Sequence, residues 1–405
     1  ITNEIRYKGE FTININRNNS ISFSMKGTAL SGFKKNRIGL CVLHPLACKG
    51  KRVKITKPTD DVYESIFPKL ISPHQPFKNI HQMEWEVAEG LLAHLAFHGE
   101  IFETEDQRNW SDSSYKTYST PLELPFPAWV SARETLQHQV VLTITGNTKQ
   151  KTGKREMVRK LTGNSPLPKI GYCRPTNQLT REQLLKLSNL TDHWRVELRL
   201  FETSWRTLLL TAAEEASILK TKLELIVFFS NDYDDQLHEF LQQLSQVSQH
   251  ISSILLLSIS QKVTPADLMR KGFGVIKIAY PFIKVGYGTD GFFAELNRNR
   301  PGDLPCDFVS FSLTPTAHAG DTRTIIENLD SQREIIQTIR SFTDKEIHVS
   351  PLTINQRTDA NMDGVLLPDD QIDYSQFGKA WISFAVHQLS EAESITILLS
   401  DKNLE

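Results

Sequence analysis

The chain of 405 residues is long enough for two or three domains, each able to bury its own hydrophobic core. Its 46 basic and 47 acidic residues give a formal net charge of -1, so no basic excess is available to bind nucleic acid. No apolar run approaches the roughly 20 residues that span a bilayer, and we expect no membrane association. The four cysteines lack CxxC spacing, which is typical of thiols in a reducing cytoplasm, where we expect the protein to reside.

Up to about residue 150, short strand-like runs alternate with turn residues, and sustained helical periodicity is missing. The last of these runs, 139–145, is strongly β-branched and is followed by Gly146 and Asn147. We predict an antiparallel β-sandwich-like domain over residues 1–160. Because Ile1 already lies inside a strand-like stretch, we expect this chain to be truncated and the domain to be incomplete.

From residue 166 the pattern changes to strands that alternate with helices. Eight strands are predicted, at 169–173, 194–200, 223–229, 254–259, one within 275–285, 308–313, 347–354 and 395–399. Seven helices are predicted between them, at 180–190, 204–220, 234–248, 264–271, 291–298, 321–341 and 375–389. This count predicts a (β/α)8 TIM-type barrel over residues 166–405. A doubly wound open sheet is the alternative, but no Gly-rich nucleotide-binding turn follows the first strand.

The helix at 264–271 opens with Thr264 and Pro265. Thr is a favoured N-cap residue, and Pro is tolerated at the first helical position because its missing N–H would have no partner there. We therefore predict Thr264 as the N-cap.

The strand at 194–200 is unusual because it carries three charges on one face. Apolar residues alternate with Arg195, Glu197 and Arg199, so the apolar face can pack under helices while the charges point into the barrel lumen. A charge buried there costs several kcal/mol unless it is paired. The C-terminal mouth of such a barrel is where active sites are built, so Glu197 is either a catalytic residue or a structural ion-pair partner.

The same face of the other predicted strands is also polar. The predicted lumen residues are Tyr172, Arg174, Glu197, Arg199, Ser258, Ser260, Ser310, Ser312, His348 and Ser350. For the serines the alternative is that small side chains simply fit the tapering interior.

Further candidates follow the fifth and sixth strands. Asp290 is predicted at a loop-to-helix junction, where it either caps the helix or contacts substrate. Glu295 and Asn297 lie in the short helix that follows, and His318 and Asp321 lie in the next loop. No second His or Cys stands at ligand spacing from His318, so we predict no metal site and no cofactor.

The first domain carries a dense polar run over 103–118. This run is either a solvated loop or a sugar site, because aromatic faces beside planar hydrogen-bonding groups suit a carbohydrate. Its candidate binding residues are Asp106, Arg108, Asn109 and Trp110, and His44 in a rigid turn adds a fifth.

Five segments resemble the D-apionate lactonase family: RIGLCVLHP (37–45), FPKLISPHQPF (67–77), FETEDQRNWSDSSYKTYSTPLELPFP (102–127), GTDGFFAELNRNRP (288–301) and DFVSFSLTPTAHAGD (307–321) followed by IIENLDSQ. The resemblance implies an N-terminal β-domain, a central barrel, a further C-terminal domain and hydrolysis of D-apionolactone to D-apionate. After Ser312 this chain reads LTPTAHAGD where the family pattern is of the NPQVHAFD type; His318 and Asp321 are retained.

Opening a lactone requires an activated water and stabilisation of charge on the carbonyl oxygen. We predict Glu197 as the general base, Arg199 or Arg174 at the carbonyl oxygen, and His318 or His348 as the proton donor to the leaving alkoxide, with Asp290 as a further catalytic candidate. The predicted substrate-binding residues are Arg174, Glu295, Asn297, Asp321, Asp106, Arg108, Asn109, Trp110 and His44. The expected partner is a small sugar lactone.

Two other functions fit the same residues. A glycoside hydrolase would pair Glu197 with Asp290 or Glu295 across the barrel mouth. A carbohydrate-binding protein without catalysis would retain the fold and lack the chemistry.

Overall fold

The computed structural model describes residues 5–147, 168–230, 233–356, 375–390 and 395–399. Contacts between residues divide the chain into two units. The first comprises Ile1–Arg108 and Ser113–Arg159, and the second comprises Asn109–Asp112 and Lys160–Glu405. The limits predicted from the sequence, 1–160 and 166–405, assign the four residues Asn109–Asp112 to the first domain.

The first unit consists of antiparallel sheets. Its strands are β1 (Tyr7–Asn16), β2 (Ser20–Ala29), β3 (Phe33–Lys35), β4 (Cys41–Pro45), β5 (Arg52–Thr56), β6 (Val62–Ile66), β7 (Phe77–Ile80), β8 (Gln82–Ala88), β9 (Leu91–His98), β10 (Phe102–Asp106), β11 (Ser114–Tyr118), β12 (Ala128–Val130) and β13 (Thr135–Gly146). Seven strands form one sheet in the order β1-β2-β13-β9-β8-β5-β6, and four form a second in the order β4-β11-β10-β7. Strands β12 and β3 pair separately.

The two larger sheets share one hydrophobic core. Ala93, Leu95 and Phe97 alternate with more exposed residues along β9, as expected for a strand with one buried face. They belong to the same buried cluster as Phe102 and Tyr115 of the smaller sheet. The predicted β-sandwich-like domain is therefore confirmed.

The second unit is a barrel of parallel strands. They are β14 (Lys169–Cys173), β15 (His193–Arg199), β16 (Lys222–Phe229), β17 (Ile251–Ser258), β18 (Lys284–Phe292), β19 (Phe308–Leu313), β20 (Glu346–Leu352) and β21 (Ile395–Leu399). The helices are α1 (Arg181–Leu187), α2 (Trp205–Leu219), α3 (Tyr233–Val247), α4 (Ala266–Ala279), α5 (Phe293–Arg298), α6 (Thr322–Glu327), α7 (Leu329–Arg340) and α8 (Gln376–Ser390). Strand β21 pairs with β14, so the barrel is closed, as predicted, and the open-sheet alternative is wrong.

The fifth strand lies later in the chain than predicted. Helix α4 continues to Ala279, and β18 begins only at Lys284. Two glycines weaken the strand signal in this segment. Both are required by close packing, because a Cβ on Gly286 would lie 2.2 Å from the Phe308 ring and a Cβ on Gly288 would lie 2.0 Å from the Ser310 carbonyl oxygen.

Two helix boundaries also differ from prediction. The N-cap of α4 is Pro265, not Thr264. The Thr264 hydroxyl instead donates to the Leu256 carbonyl at 2.7 Å and accepts from the Gly288 N–H at 3.1 Å, which ties the start of α4 to β17 and β18. The predicted helix over 321–341 is two helices, with Asn328 between them.

Tyr172 and Ser258 face the helices, so their predicted lumen positions are wrong. Tyr172 pairs in register with Trp194, whose indole N–H donates to Glu215 of α2. Ser258 pairs with Phe229, which packs against a ring of α3. Because side chains alternate along a strand, an error of one residue in register reverses the face.

The lumen combines an apolar cluster with buried charges. The cluster consists of Ile226, Leu255, Leu257, Phe308 and Phe228. Beside it, the fully buried Glu224 of β16 lies with Oε2 2.6 Å from Nδ1 of His348, and its Oε1 accepts a hydrogen bond from the Ser350 hydroxyl at 2.8 Å. The sequence reading had not singled out Glu224.

The surroundings of His348 favour its charged form. Its ring stacks on Phe308 with centroids 3.9 Å apart, and its Nε2 lies 3.8 Å from Oε1 of Glu346. Burial disfavours the charged form, but the carboxylates of Glu224 and Glu346 outweigh burial and raise the pKa of His348. Burial likewise opposes ionisation of Glu224, yet the charge and hydrogen bond of His348 lower its pKa. The barrel interior therefore favours an imidazolium at His348, between the carboxylates of Glu224 and Glu346.

Replacing Glu224 tests this network. Glu224→Gln retains the size of the side chain but leaves the His348 imidazolium without its nearest counter-charge, so we expect a loss of about 3 to 5 kcal/mol in the free energy of unfolding. Urea unfolding measures this loss in the free energy of unfolding. The exposed Glu239, paired with Arg206, provides the control, and Glu239→Gln should change stability by less than about 0.5 kcal/mol. A Glu224→Gln protein that unfolds at the wild-type midpoint would contradict the assignment.

Stability should also depend on pH through Glu346. The interaction with the His348 ring, 3.8 Å away, lowers the pKa of Glu346 to about 2 against the effect of burial, and the Lys284 ammonium adds to the decrease. A carboxylate with a lowered pKa stabilises the fold fully above its ordinary value of 4.5, and this contribution is lost as the pH falls toward about 2. His348 has a raised pKa, so its contribution is complete below 6.5 and is lost as the pH rises through the folded-state value.

Wild type and Glu346→Gln, compared by urea unfolding across the pH range, isolate this effect. Their difference in unfolding free energy should be largest between pH 4.5 and 6.5 and should decrease on both sides. A difference that stays constant above pH 6.5 would show that Glu346 and His348 are not coupled, because the pair with Lys284 can by itself account for the decrease at low pH.

Candidate functional site

Arg195 is the centre of the charged strand. Its Nε donates to the Ser350 hydroxyl at 2.9 Å, one terminal nitrogen donates to Glu197 at 2.5 Å, and the other donates to Asp290 at 2.7 Å. The Arg195 side chain is 2% exposed, whereas those of Glu197 and Asp290 are 26% and 20% exposed. One buried cation therefore orients two carboxylates that remain accessible.

Asp290 is a strand residue and does not cap a helix. It lies in β18, and the N-cap position of α5 is Phe292, where no side chain caps the helix. The capping alternative is wrong because the strand extends further than the sequence pattern indicated.

A cavity of about 650 Å³ opens beside Glu197. Its lining includes Arg174, Arg195, Arg199 and Trp205. This volume is within the usual range of small-molecule sites and can accommodate a sugar lactone.

The two arginines predicted at the carbonyl oxygen differ in their surroundings. Arg174 forms a bidentate ion pair with Glu215 of α2, with both N–O distances at 2.8 Å. Arg199 lies over the Phe228 ring at 5.1 Å, its Nε is 3.9 Å from a carboxylate oxygen of Glu202, and its side chain is 38% exposed. Arg199 is thus the more accessible of the two.

His348 does not lie at the mouth. Its side chain is 2% exposed inside the lumen network, and it is the third residue of β20, well before the C-terminal end of that strand. The sequence predicted the face of the strand on which His348 lies, but not how deeply this side chain is buried in the barrel. We therefore remove His348 from the predicted proton donors, which leaves His318.

His318 lies in a second polar cluster of the barrel unit. Its Nδ1 is 2.6 Å from Oδ2 of Asp112, and its ring meets the edge of Trp110 with centroids 5.7 Å apart. The Arg298 guanidinium lies 5.1 Å from the centroid of the Trp110 ring. Sequence reasoning identified His318 and Trp110 separately and missed Asp112.

Two predicted amides join this cluster. The Asn297 side chain, in α5, donates to Asn109 Oδ1 at 3.0 Å and accepts from Arg300 at 2.8 Å. Both asparagines are buried. The structure therefore brings together Asn109, Trp110, Asn297 and His318, which come from three distant parts of the sequence.

Asp106, Arg108 and His44 belong to the interior of the first unit. Arg108 donates to Asp106 through two nitrogens, at 2.6 and 2.8 Å, and also to the Pro68 carbonyl at 2.9 Å. His44 is 1% exposed, its Nε2 lies 2.7 Å from the Thr117 hydroxyl, and burial lowers its pKa to about 4. These contacts hold loops and core in place, so we leave the three residues out of the proposed site.

Two remaining candidates have local structural partners. Asp321 is the N-cap of α6, and its hydrogen bonds from the Thr324 hydroxyl and N–H lower its pKa. Glu295 is in the first turn of α5 and lies 3.8 Å from Lys262. A capping role accounts for Asp321 without a substrate.

Within the described ranges, no three His, Cys, Asp or Glu side chains are grouped so that they could hold a metal ion. No helix in the same ranges has both the length and the apolar character needed to cross a membrane.

Solved structures similar to this chain include carbohydrate-active enzymes. The Ruminococcus gnavus β-glucuronidase in complex with D-glucuronic acid is 9% identical, with a TM-score of 0.39 over 97% of this chain and 60% of that chain. An endo-1,4-β-D-mannanase from Thermotoga petrophila is 11% identical, with a TM-score of 0.37 over 57% of this chain and 88% of that chain. Similarities this low carry no argument about chemistry.

Comparison at the level of sequence is more specific. A D-apionate lactonase from Brucella anthropi is 27% identical over 363 residues, which are 84% of this chain and 59% of that protein. Residues 1–147 match the family model of the D-apionate lactonase N-terminal domain, and residues 176–401 match that of its TIM barrel domain. The predicted resemblance is confirmed, and the chain belongs to the D-apionate lactonase family.

Proposed function

We propose that this protein hydrolyses a sugar-derived lactone, of the D-apionolactone kind, to the corresponding aldonic acid in carbohydrate catabolism. Family membership supports a lactone substrate. The observation that carries the proposal is the Arg195 side chain, which holds the Glu197 carboxylate at the cavity and also pairs with Asp290.

The reaction needs three roles. The Glu197 carboxylate takes a proton from water as the water oxygen attacks the carbonyl carbon. Arg199 stabilises the negative charge that develops on the carbonyl oxygen. His318 donates a proton to the ring oxygen as the bond between the acyl carbon and that oxygen breaks, which yields a free hydroxyl and a carboxylic acid.

The remaining residues suit a polyol. Trp110 offers an apolar ring face to sugar C–H groups, and the buried Asn109 and Asn297 side chains, hydrogen-bonded to each other, hold the segment next to it in place. Asp290 is held by Arg195 with its carboxylate partly exposed, so it can accept hydrogen bonds from a substrate hydroxyl.

A glycoside hydrolase is the second candidate because Glu197 and Asp290 are paired carboxylates. A glycosidase requires one carboxyl group to be protonated and the other ionised. A guanidinium shared between the two groups favours the ionised form of both. This arrangement suits a general base better than an acid and base pair, so we favour the lactonase.

Incubating the protein with a panel of aldonolactones and nitrophenyl glycosides tests the proposal. We expect proton release from a lactone and no nitrophenol release. Glu197→Gln should lower kcat by about 10²-fold or more, because the amide cannot accept a proton from water. Arg195 retains Asp290 and Ser350 as partners in this variant, so folding should be preserved.

Three outcomes would contradict this assignment. Turnover of glycosides only would favour the glycosidase, and binding of lactone without turnover would favour a carbohydrate-binding protein. Wild-type turnover by a folded Glu197→Gln variant would remove Glu197 from the mechanism. Glu239→Gln, on the exposed face of α3, should retain the wild-type rate.

Arg199→Gln tests stabilisation of the carbonyl oxygen. We expect kcat to fall by about 10²-fold with a smaller change in KM, because the charge it stabilises exists mainly in the transition state. Arg206, an exposed arginine of α2 paired with Glu239, provides the control. Equal rates for Arg199→Gln and Arg206→Gln would show that Arg199 does not act on the reaction.

A further inference from the structure

We propose that Asp112 is a positioning residue, which fixes the ring of His318 so that Nε2 is the nitrogen that exchanges a proton with the substrate. This inference rests on the proposed lactone hydrolysis. It assigns a role to a residue that neither the family resemblance nor the sequence pattern had indicated.

The geometry of the pair is the first support. The 2.6 Å distance joins Nδ1 of His318 to Oδ2 of Asp112, and the two residues are 206 positions apart in the sequence. The Asp112 side chain is 7% exposed and that of His318 is 32% exposed. A buried carboxylate thus faces one nitrogen of a ring that is partly exposed to solvent.

Asp112 is itself held in place. The Asn328 side chain donates to its second oxygen, Oδ1, at 3.3 Å and also donates to the Pro315 carbonyl at 2.8 Å. The Ser331 hydroxyl donates to the carbonyl of Ser111 at 2.5 Å. Both carboxylate oxygens are therefore engaged, so the carboxylate has a fixed orientation.

The backbone before Asp112 is strained. Ser111 has a φ of 72°, in the left-handed region that residues other than glycine rarely adopt. Such strain persists only where surrounding contacts enforce it, and it is frequent at functional sites. Here the enforced turn aims Asp112 at His318.

A hydrogen bond at Nδ1 decides the chemistry of the ring. With the Nδ1 proton directed at Asp112, Nε2 alone is left to transfer a proton. As the lactone C–O bond breaks, the electron pair remains on the ring oxygen, and the Nε2 proton moves to that oxygen. Solvent then reprotonates Nε2, so the ring returns to its starting state.

A second contact between a histidine and a carboxylate, in which both side chains are exposed, provides a comparison. Nδ1 of His94 lies 2.8 Å from a carboxylate oxygen of Glu84 in the first unit, and both side chains are 37% exposed. The histidine exposure is close to that of His318, but this carboxylate is not buried. Glu84→Gln is therefore a matched control.

The experiment measures kcat, KM and the ring tautomer, the last from ¹⁵N-labelled histidine spectra, for wild type, Asp112→Asn and Glu84→Gln. We expect Asp112→Asn to lower kcat by about 10²-fold with KM within about threefold, and to change the His318 tautomer ratio. Asp112→Glu should recover part of the rate because it restores the charge. Glu84→Gln should match wild type in every measurement.

His318→Gln covers the case in which Asp112→Asn does not fold. The His318 side chain is partly exposed, so the His318→Gln variant should fold. The kcat of this variant should fall at least as far as that of Asp112→Asn. Wild-type kcat in either variant, or an unchanged tautomer in Asp112→Asn, would overturn the inference while lactone hydrolysis stands. A wild-type protein that hydrolyses no lactone would instead overturn the proposed function.

Discussion

Charge pairing inside a closed barrel is the constraint on which this site depends. Eight parallel strands enclose a lumen in which Arg195, Glu224 and His348 are buried, so each of these charges requires a partner. Arg195 on β15 stands in register beside Glu224 on β16, and each of them finds further partners across the lumen. The interior can hold these charges because each of the two buried cations contacts a carboxylate.

Ser350 connects the buried charges to the mouth. Its hydroxyl accepts a hydrogen bond from Arg195 and donates one to Glu224, which binds His348 in turn. A continuous series of polar contacts thus runs from the imidazolium of His348 to the carboxylate of Glu197. The orientation of the proposed general base is therefore set by Arg195, which the buried groups behind it hold in place, as expected of a preorganised site.

The alternation of strands and helices predicted the barrel, because each parallel strand needs a crossover and each crossover is a helix. The alternation of charges along β15 likewise predicted that Arg195 and Glu197 share the lumen face. The depth of a side chain in the barrel could not be predicted in this way, since side chains alternate between the same two faces along the whole length of a strand. His348 was assigned to the mouth for that reason, although it lies in the closed interior.

Contacts between residues far apart in the sequence were a second feature that the sequence pattern could not predict. The segment Asn109–Asp112 lies in a polar run of the first 150 residues, yet its contacts are with the barrel unit. No local pattern in the sequence connects Asp112 with His318, because their contact is made by the fold and not by spacing. A segment as short as Asn109–Asp112 can thus change a site while the hydrophobic core of each unit stays the same. The Asp112 carboxylate is buried with both of its oxygens engaged, and one of these partners is His318, so the fold orients the carboxylate and the imidazole ring together.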